Sequence, residues 1–299
     1  MKQLFYRIIY QANVNYILRN FNKFLYPILP EKLRLSPSGR IKVKISDSNT
    51  ATFSTNQTNF ITFILFWKKT SEFEYTRIFI PLIKKVDCFI DVGANIGFYS
   101  ILAAKENKNI KVISFEPAIG SRSYLSKNVE ENKIKNISIE AIALADISGQ
   151  IEFFEIKNEK YPFLDYNLSG TNGTQNVKDK KMESYMVDSV RFDQYTKDRD
   201  FKSIDLIKLD TEGTENIILE NSRETLSKHQ PIVICETLYN TIESEIETIM
   251  FELGYQAYNH TPEGLLKVDT ITRDYDNGVR DCFFVPPSKL HLIEEFVVK

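Results

Sequence analysis

Four acidic side chains stand at or beside the ends of short apolar runs. They are Asp91 in Phe89-Ile-Asp-Val-Gly93, Glu116 in Val112-Ile-Ser-Phe-Glu116, Asp210 in Leu206-Ile-Lys-Leu-Asp210 and Glu236 in Ile232-Val-Ile-Cys-Glu236. Runs of this length and composition read as buried strands. The carboxyl ends of parallel strands share one rim of a sheet, where open α/β folds bind ligands, so carboxylates distant in the chain can converge there. On such a rim a carboxylate can hold an ammonium group, accept hydrogen bonds from hydroxyls or take up a proton. Asp210 and Glu236 are the candidates for removing a hydroxyl proton, with direct binding of substrate hydroxyls as the other role open to them. Two carboxylates on neighbouring strand ends also offer oxygen ligands to Mg²⁺. No third ligand accompanies them, so no set of metal ligands is expected and Mg²⁺ stays a secondary reading.

The turn after Asp91 narrows the ligand. Gly93-Ala-Asn-Ile-Gly97 passes from an apolar run into the small-residue run Phe98-Tyr-Ser-Ile-Leu-Ala-Ala104, as a strand feeds a helix. A dinucleotide site wants G-x-G-x-x-G, whose middle glycine lets the backbone approach a pyrophosphate; Asn95 stands there instead. Asp91 suits an ammonium better than a pyrophosphate, and S-adenosylmethionine carries an ammonium and a sulfonium but no phosphate. Glu116 follows Gly97 at about the distance at which an acid accepts both hydroxyls of a ribose. A purely structural glycine turn is the plainer alternative. Lys208 shares a strand face with Asp210 by alternation, and an ion pair is expected. Glu212 and Glu215 suit the amino end of a helix. Asn128 and Asn132 read as tying down a helix, His260 as a lone loop histidine, and His229 and His291 as surface residues.

The elements that must position these groups follow from the pattern. From Val86 onward, strands and helices alternate: strands Lys111–Phe115, Ile137–Leu144, Ile204–Leu209, Pro231–Cys235, Tyr255–Tyr258 and Cys282–Val285, with helices over Ser121–Asn132, about 213–227 and Glu243–Leu253. Such units imply a parallel sheet covered by helices. Gln150–Ile156 reads as a hairpin partner of the third strand. Residues 157–184 lose the pattern, and a polar stretch of that length in a compact domain reads as a substrate lid. Ahead of the repeat, residues 1–26 carry a helical apolar stripe (Leu4, Phe5, Ile8, Ile9, Ala12, Tyr16) closed by Pro27 and Pro30, while 41–66 alternates like short strands.

Composition sets the outer bounds. An apolar content of 42% and a charged content of 26% in 299 residues fit one large α/β domain with an appendage. The net charge of −2 hides an asymmetry: residues 1–44 hold nine Lys and Arg against Glu31 alone, which leaves the remainder near −10. That balance argues against a nucleic-acid groove across the body. The amino-methylating Asp/Asn-Pro-Pro-Tyr signature and a Pro-Cys nucleophile are also missing. Cys88, Cys235 and Cys282 fall in apolar runs and read as buried free thiols. No apolar run approaches a membrane span, and Arg7 breaks the first one, so a cytoplasmic protein is expected. Residues 1–26, basic and aromatic, suit peripheral contact with the inner membrane face; packing on the main domain is the plainer reading.

Taken in order, Asp91-Val-Gly-Ala-Asn-Ile-Gly97, Phe115-Glu-Pro117, Leu125-x-x-Asn128-x-x-x-Asn132, Ala143-Leu-Ala-Asp146-x-x-Gly149, Ile204-Asp-Leu-Ile-Lys-Leu-Asp210-Thr-Glu-Gly-Thr-Glu215 and Pro231-x-x-x-x-Glu236 resemble the FkbM-type methyltransferases. The resemblance covers about residues 86–285 and leaves 1–85 unexplained. It implies an α/β class I methyltransferase fold: a Rossmann-like, doubly wound, mostly parallel sheet with an antiparallel late strand. The expected division is an N-terminal helical and β appendage over 1–85 and a methyltransferase domain over 86–299 with an insertion at about 157–184. It further implies S-adenosylmethionine as cofactor, its methionine end on Asp91, Gly93, Asn95 and Gly97, its ribose on Glu116, and its adenine along Ala143 and Leu144. Asp146 would meet the adenine amino group or cap a turn. The implied reaction is O-methylation of a hydroxyl on a sugar, glycan, glycolipid or related small molecule. A nicotinamide-dependent oxidoreductase and a non-catalytic binding module remain the alternatives.

Overall fold

The computed structural model describes residues 1–170, 173 and 182–298; residues 171, 172 and 174–181 of the expected lid therefore lie outside the described residues. In chain order the strands are β1 (Gly39–Lys44), β2 (Thr50–Thr55), β3 (Cys88–Val92), β4 (Lys111–Phe115), β5 (Ile137–Glu140), β6 (Ile142–Leu144) and β7 (Gly149–Ile156). They continue with β8 (Met182–Val190), β9 (Leu206–Leu209), β10 (Ile232–Glu236), β11 (Gln256–Thr261), β12 (Gly264–Val268) and β13 (Asp281–Val285). The large sheet has the order β12-β11-β13-β10-β9-β3-β4-β5. Strands β5, β4, β3, β9 and β10 run parallel, and β13 enters antiparallel beside β10. The strand order reverses between β3 and β9, and it is at such a switch point that α/β sheets open a crevice.

The central parallel strands β3, β4, β9 and β10 are mostly apolar because both faces are covered. Residues alternate between two cores: Phe89, Val112, Leu206 and Ile234 lie in one, Cys88, Ile90, Ile113 and Val233 in the other. Full burial of each such side chain stabilises by about 1.5–3 kcal/mol. All three cysteines are buried and free. The first core also takes in Ile41, Val43, Phe53, Ile64 and Phe79, so no gap in the core marks the expected division near residue 85. Asn128 and Asn132 do tie down their helix (Ile119–Glu131). Their amides act as an extra strand against β2, Asn128 Oδ1 accepting from Ser54 N at 2.6 Å and Asn132 Oδ1 from Thr52 N at 3.0 Å.

Five local expectations need correction. The alternating stretch 60–66 is a helix, Phe60–Trp67, capped by Asn59, whose Oδ1 accepts from Thr62 N at 2.9 Å; a short run apolar on every side cannot distinguish the two periods. The expected strand 137–144 breaks at Ala141, and β6 leaves the large sheet for a three-stranded one of order β6-β8-β7. Strand β7 is antiparallel to β8, not to the third strand, because β8 lies hidden behind the insertion. The amino-terminal stripe is two helices, Lys2–Ile9 and Ala12–Phe24, since Gln11 Oε1 accepts from Asn13 N and Val14 N and starts the second afresh. The helical stretch after Gly213 is likewise split, into Glu215–Glu220 and Arg223–His229.

Candidate active site

The carboxyl ends of β3, β4, β9 and β10 surround a cavity of about 270 Å³ whose lining includes Asp91, Glu116, Asp210 and Glu236. The four acids thus converge. Lys208 sits among them because it is the register partner of Asp91 across β3 and β9. Its Nζ lies 3.0 Å from Asp210 Oδ2 and 3.7 Å from Asp91 Oδ1, and it donates to the Gly93 carbonyl at 3.4 Å. Burial opposes the ammonium charge, but Asp210 and Asp91 more than offset it and hold Lys208 above its ordinary pKa.

Asp91 is buried, and Oδ2 accepts from Ser100 Oγ at 2.5 Å, with Ser114 Oγ a further 2.7 Å along the chain of hydroxyls. Burial raises its pKa against the pull of Lys208 and Ser100. Glu116 closes the turn: Oε2 accepts from Asn95 N at 2.7 Å and Oε1 from Ala118 N at 2.9 Å. Burial still pushes its pKa up to about 7, the two backbone donors pulling the other way. Asn95 adopts φ +51°. Its Oδ1 is buried without a hydrogen-bond partner among the described residues, as are Asp91 Oδ1 and Glu236 Oε2. Three buried polar atoms without partners around one cavity are groups awaiting hydrogen bonds.

The glycines serve the protein's own packing. At Gly93 (φ +75°) a Cβ would come within 1.9 Å of the Asp210 carbonyl oxygen, so the close approach of β3 to β9 demands glycine. Gly97 (φ +86°) is the cap of the helix Phe98–Glu106, where a Cβ would meet Leu125, and it does not line the cavity. Ala143 and Leu144 do line it, whereas Asp146 is exposed and outside the lining.

Beyond Lys208 the wall is acidic. Glu236 is opposite Asp281 in register on β13. Burial and then repulsion from Asp210, Glu212, Glu215 and Asp281 push its pKa up to about 9. Glu215 closes the loop 211–215, accepting from Thr211 N at 2.6 Å and Gly213 N at 3.0 Å. Glu74 is a lining residue that sequence reasoning missed, since it lies in a stretch without a motif. It sits at φ +42°, accepts from Tyr99 Oη at 2.7 Å, and burial followed by repulsion from Asp210 raises its pKa to about 7. Tyr99 also lines the cavity and was visible in the glycine turn motif, two residues past Gly97. Ser169, Gly170 and Gly173 of the insertion reach the lining too. His260 belongs to β11 and not to a loop; it packs edge-on to Tyr75, its centroid 6.0 Å away, outside the lining. Among the described residues no group of three or more His, Cys, Asp or Glu is arranged to hold a metal ion.

Residues 91–257 match the family model of the methyltransferase FkbM domain. Over 168 residues the chain is 24% identical to the 2-O-methyltransferase NoeI of Sinorhizobium fredii (strain NBRC 101917 / NGR234), an alignment covering 54% of this chain and 68% of that protein. Among solved structures it is similar to methyltransferase FkbM from Methylobacillus flagellatus KT, with a TM-score of 0.42 at 18% identity, covering 66% of this chain but only 43% of that one. It is also similar to a SAM-dependent O-methyltransferase from Thermotoga maritima, with a TM-score of 0.37 at 15% identity, covering 70% of this chain and 63% of that one. The chain therefore spans less than half the length of the FkbM structure it matches. With more than half of its residues inside the family model, the chain belongs to the FkbM methyltransferase domain family.

Proposed function

We propose that this FkbM-family methyltransferase binds S-adenosylmethionine in the cavity and methylates a hydroxyl oxygen of a sugar, in a glycan, glycolipid or related small molecule. The observation that carries the reading is the convergence of Asp91, Glu116, Asp210 and Glu236 on one cavity at the switch point of the sheet. The orphaned acceptors on Asp91 and Asn95 fit the ammonium end of the cofactor, since an ammonium brings donors only. Both oxygens of Glu116 keep a second lone pair for ribose hydroxyls, and Ala143 and Leu144 offer an apolar edge for adenine. The S. fredii relative's designation as a 2-O-methyltransferase supports oxygen as the acceptor atom.

When bound, S-adenosylmethionine supplies a methyl carbon already attached to a cationic leaving group. The chain's own work is to hold the acceptor hydroxyl in line and remove its proton. Positioning of this kind is worth up to about 7–11 kcal/mol of barrier, and a well-placed base roughly 10²–10⁴-fold. Asp210, partly exposed at the mouth and braced by Lys208, takes the proton. Glu236, which keeps its own proton up to about pH 9, donates a hydrogen bond instead. Glu74, poised near neutrality, is the second group able to accept one. Asn59, Phe60, Ile61 and Glu74 from residues 1–85, and Ser169, Gly170 and Gly173 from the insertion, line the cavity and are placed to set acceptor specificity. Residues 256–280 contribute nothing to the lining.

The test pairs calorimetry of cofactor binding with transfer of a labelled methyl group to a panel of sugars and glycolipids. Tight binding with labelled, base-stable ether product supports the reading. Binding without turnover on any acceptor would leave the non-catalytic module, and label on nitrogen or carbon would overturn O-methylation.

A further inference from the structure

The segment ahead of β1 is built inside out. In the helix Ala12–Phe24 the buried residues are Asn15 and Arg19. On the outside, Ile17, Phe21 and Phe24, with Ile28 just beyond the helix, are 68%, 66%, 81% and 81% exposed. At 3.6 residues per turn, Ile17, Phe21 and Phe24 fall nearly opposite Asn15 and Arg19. The cause is a demand for donors beneath the helix. Asn15 Nδ2 donates to the Ser36 carbonyl at 3.1 Å, and Arg19 donates to the Ser38 and Arg40 carbonyls at 2.6 and 2.5 Å. The polar face must therefore turn inward, and the apolar face is left in water. The preceding helix Lys2–Ile9 buries none of its residues and exposes Leu4, Phe5 and Ile8, with Lys2 and Arg7 on opposite flanks of that stripe. Tyr6 and Tyr10 hold it edge-on against Tyr161.

Large apolar side chains aligned along exposed helical faces mark a partner, whereas scattered single side chains would not. The charge says which. Residues 1–44 carry a net +8 while the rest of the chain is near −10, so an anionic surface attracts this end and repels the body. Apolar stripes flanked by Lys and Arg suit the boundary between lipid headgroups and acyl chains. The helix Phe60–Trp67 joins the face to the cavity. At one end Trp67 stacks on Tyr26 at 5.9 Å and Phe66 lies under Lys23 Nζ at 4.5 Å; at the other, Phe60 and Ile61 line the cavity. We infer that residues 1–28 dock on an anionic lipid bilayer and place the cavity mouth one short helix, about 12 Å, from it. This goes beyond the methyl-transfer reading and does not rest on it.

The test needs no turnover. The full chain is sedimented with vesicles of phosphatidylcholine alone and of phosphatidylcholine with roughly one third phosphatidylglycerol. Binding should require the anionic lipid and weaken with added salt. Phe21→Ser with Phe24→Ser should cut the partition coefficient by at least about tenfold, and Lys2→Glu with Arg7→Glu should remove the salt-sensitive part. Both pairs are exposed, so unchanged melting temperatures should accompany the loss. Equal binding to both vesicle types, or indifference to Phe21→Ser with Phe24→Ser, overturns the inference. So does a concentration-dependent dimer, seen by sedimentation velocity, that the same double change dissolves, because the stripe would then belong to a second copy.

Discussion

Two buried cations, Lys208 at the sheet's switch point and Arg19 beneath the amino-terminal helix, solve the same problem in different ways. Lys208 is 3% exposed and answered by carboxylates, Asp91 and Asp210, which also face a cavity. Arg19 is 2% exposed, and its guanidinium is answered by Asn15 Oδ1 and two backbone carbonyls. A buried charge must be paired or hydrogen-bonded to be tolerated. Carbonyls and the Asn15 amide oxygen answer the two terminal nitrogens, leaving Nε without a hydrogen-bond partner among the described residues, and add no titratable group, so Arg19 holds a chain segment in place. Carboxylates add acceptors that a ligand can share and protons that can move, so the network around Lys208 is suited to chemistry.

The contrast can be broken by substitution, and the largest effect is expected at Asp210. Asp210→Asn should lower turnover by roughly 10²–10⁴-fold while cofactor affinity, read by calorimetry, changes far less. An equal loss of both would recast Asp210 as a cofactor-binding group. Arg19→Met should lower the unfolding free energy by about 3 kcal/mol, since two buried carbonyls lose their donor. Urea titration measures this, and methyl transfer per folded molecule should stay within about twofold of the parent, as for a site with no part in binding. A selective loss of turnover at full stability would erase the distinction between the two cations.

Glu116→Ala should weaken cofactor binding by more than about tenfold, because two hydrogen-bonded oxygens leave the cavity wall. Unchanged affinity would remove Glu116 from the cofactor site. The last effect is a slope. Folded, Glu236 keeps its proton up to about pH 9; unfolded, it releases it near its ordinary value of 4.5. The folded state thus binds the extra proton between those values, and its stability falls as pH rises through that window. Glu236→Gln should flatten the decline in melting temperature of the cofactor-free protein from about pH 5 to about pH 9. A decline of undiminished steepness would mean that other groups carry the pH dependence.

Much of the site was legible because its residues end strands. Asp91, Glu116, Asp210 and Glu236 each follow or interrupt a run that burial on both faces makes almost wholly apolar, and a charge there stands out. Lys208 was legible through alternation. Gly97 and Asp146 read as binding residues by motif, yet Gly97 caps a helix against Leu125 and Asp146 faces solvent. A motif records that a residue type is required without recording which neighbour requires it. Glu74 had no such marker: its neighbours Phe73 and Tyr75 belong to the core by aromatic packing, and only the fold brings the carboxylate to Tyr99.

The order of apolar runs, glycine turns and strand-end acids determined by itself that this chain is an α/β sheet, mostly parallel, with carboxylates along the rim where its parallel strands end. Local pattern suffices there, because strand burial and alternation are written residue by residue. Tertiary structure alone decided that Glu74 joins the rim, that the stretch 60–66 is helix, and that the first helices turn their polar side inward. Each of those outcomes depends on partners contributed by distant segments, such as the carbonyls at 36–40 that claim Asn15 and Arg19, and no local period encodes a partner that far along the chain.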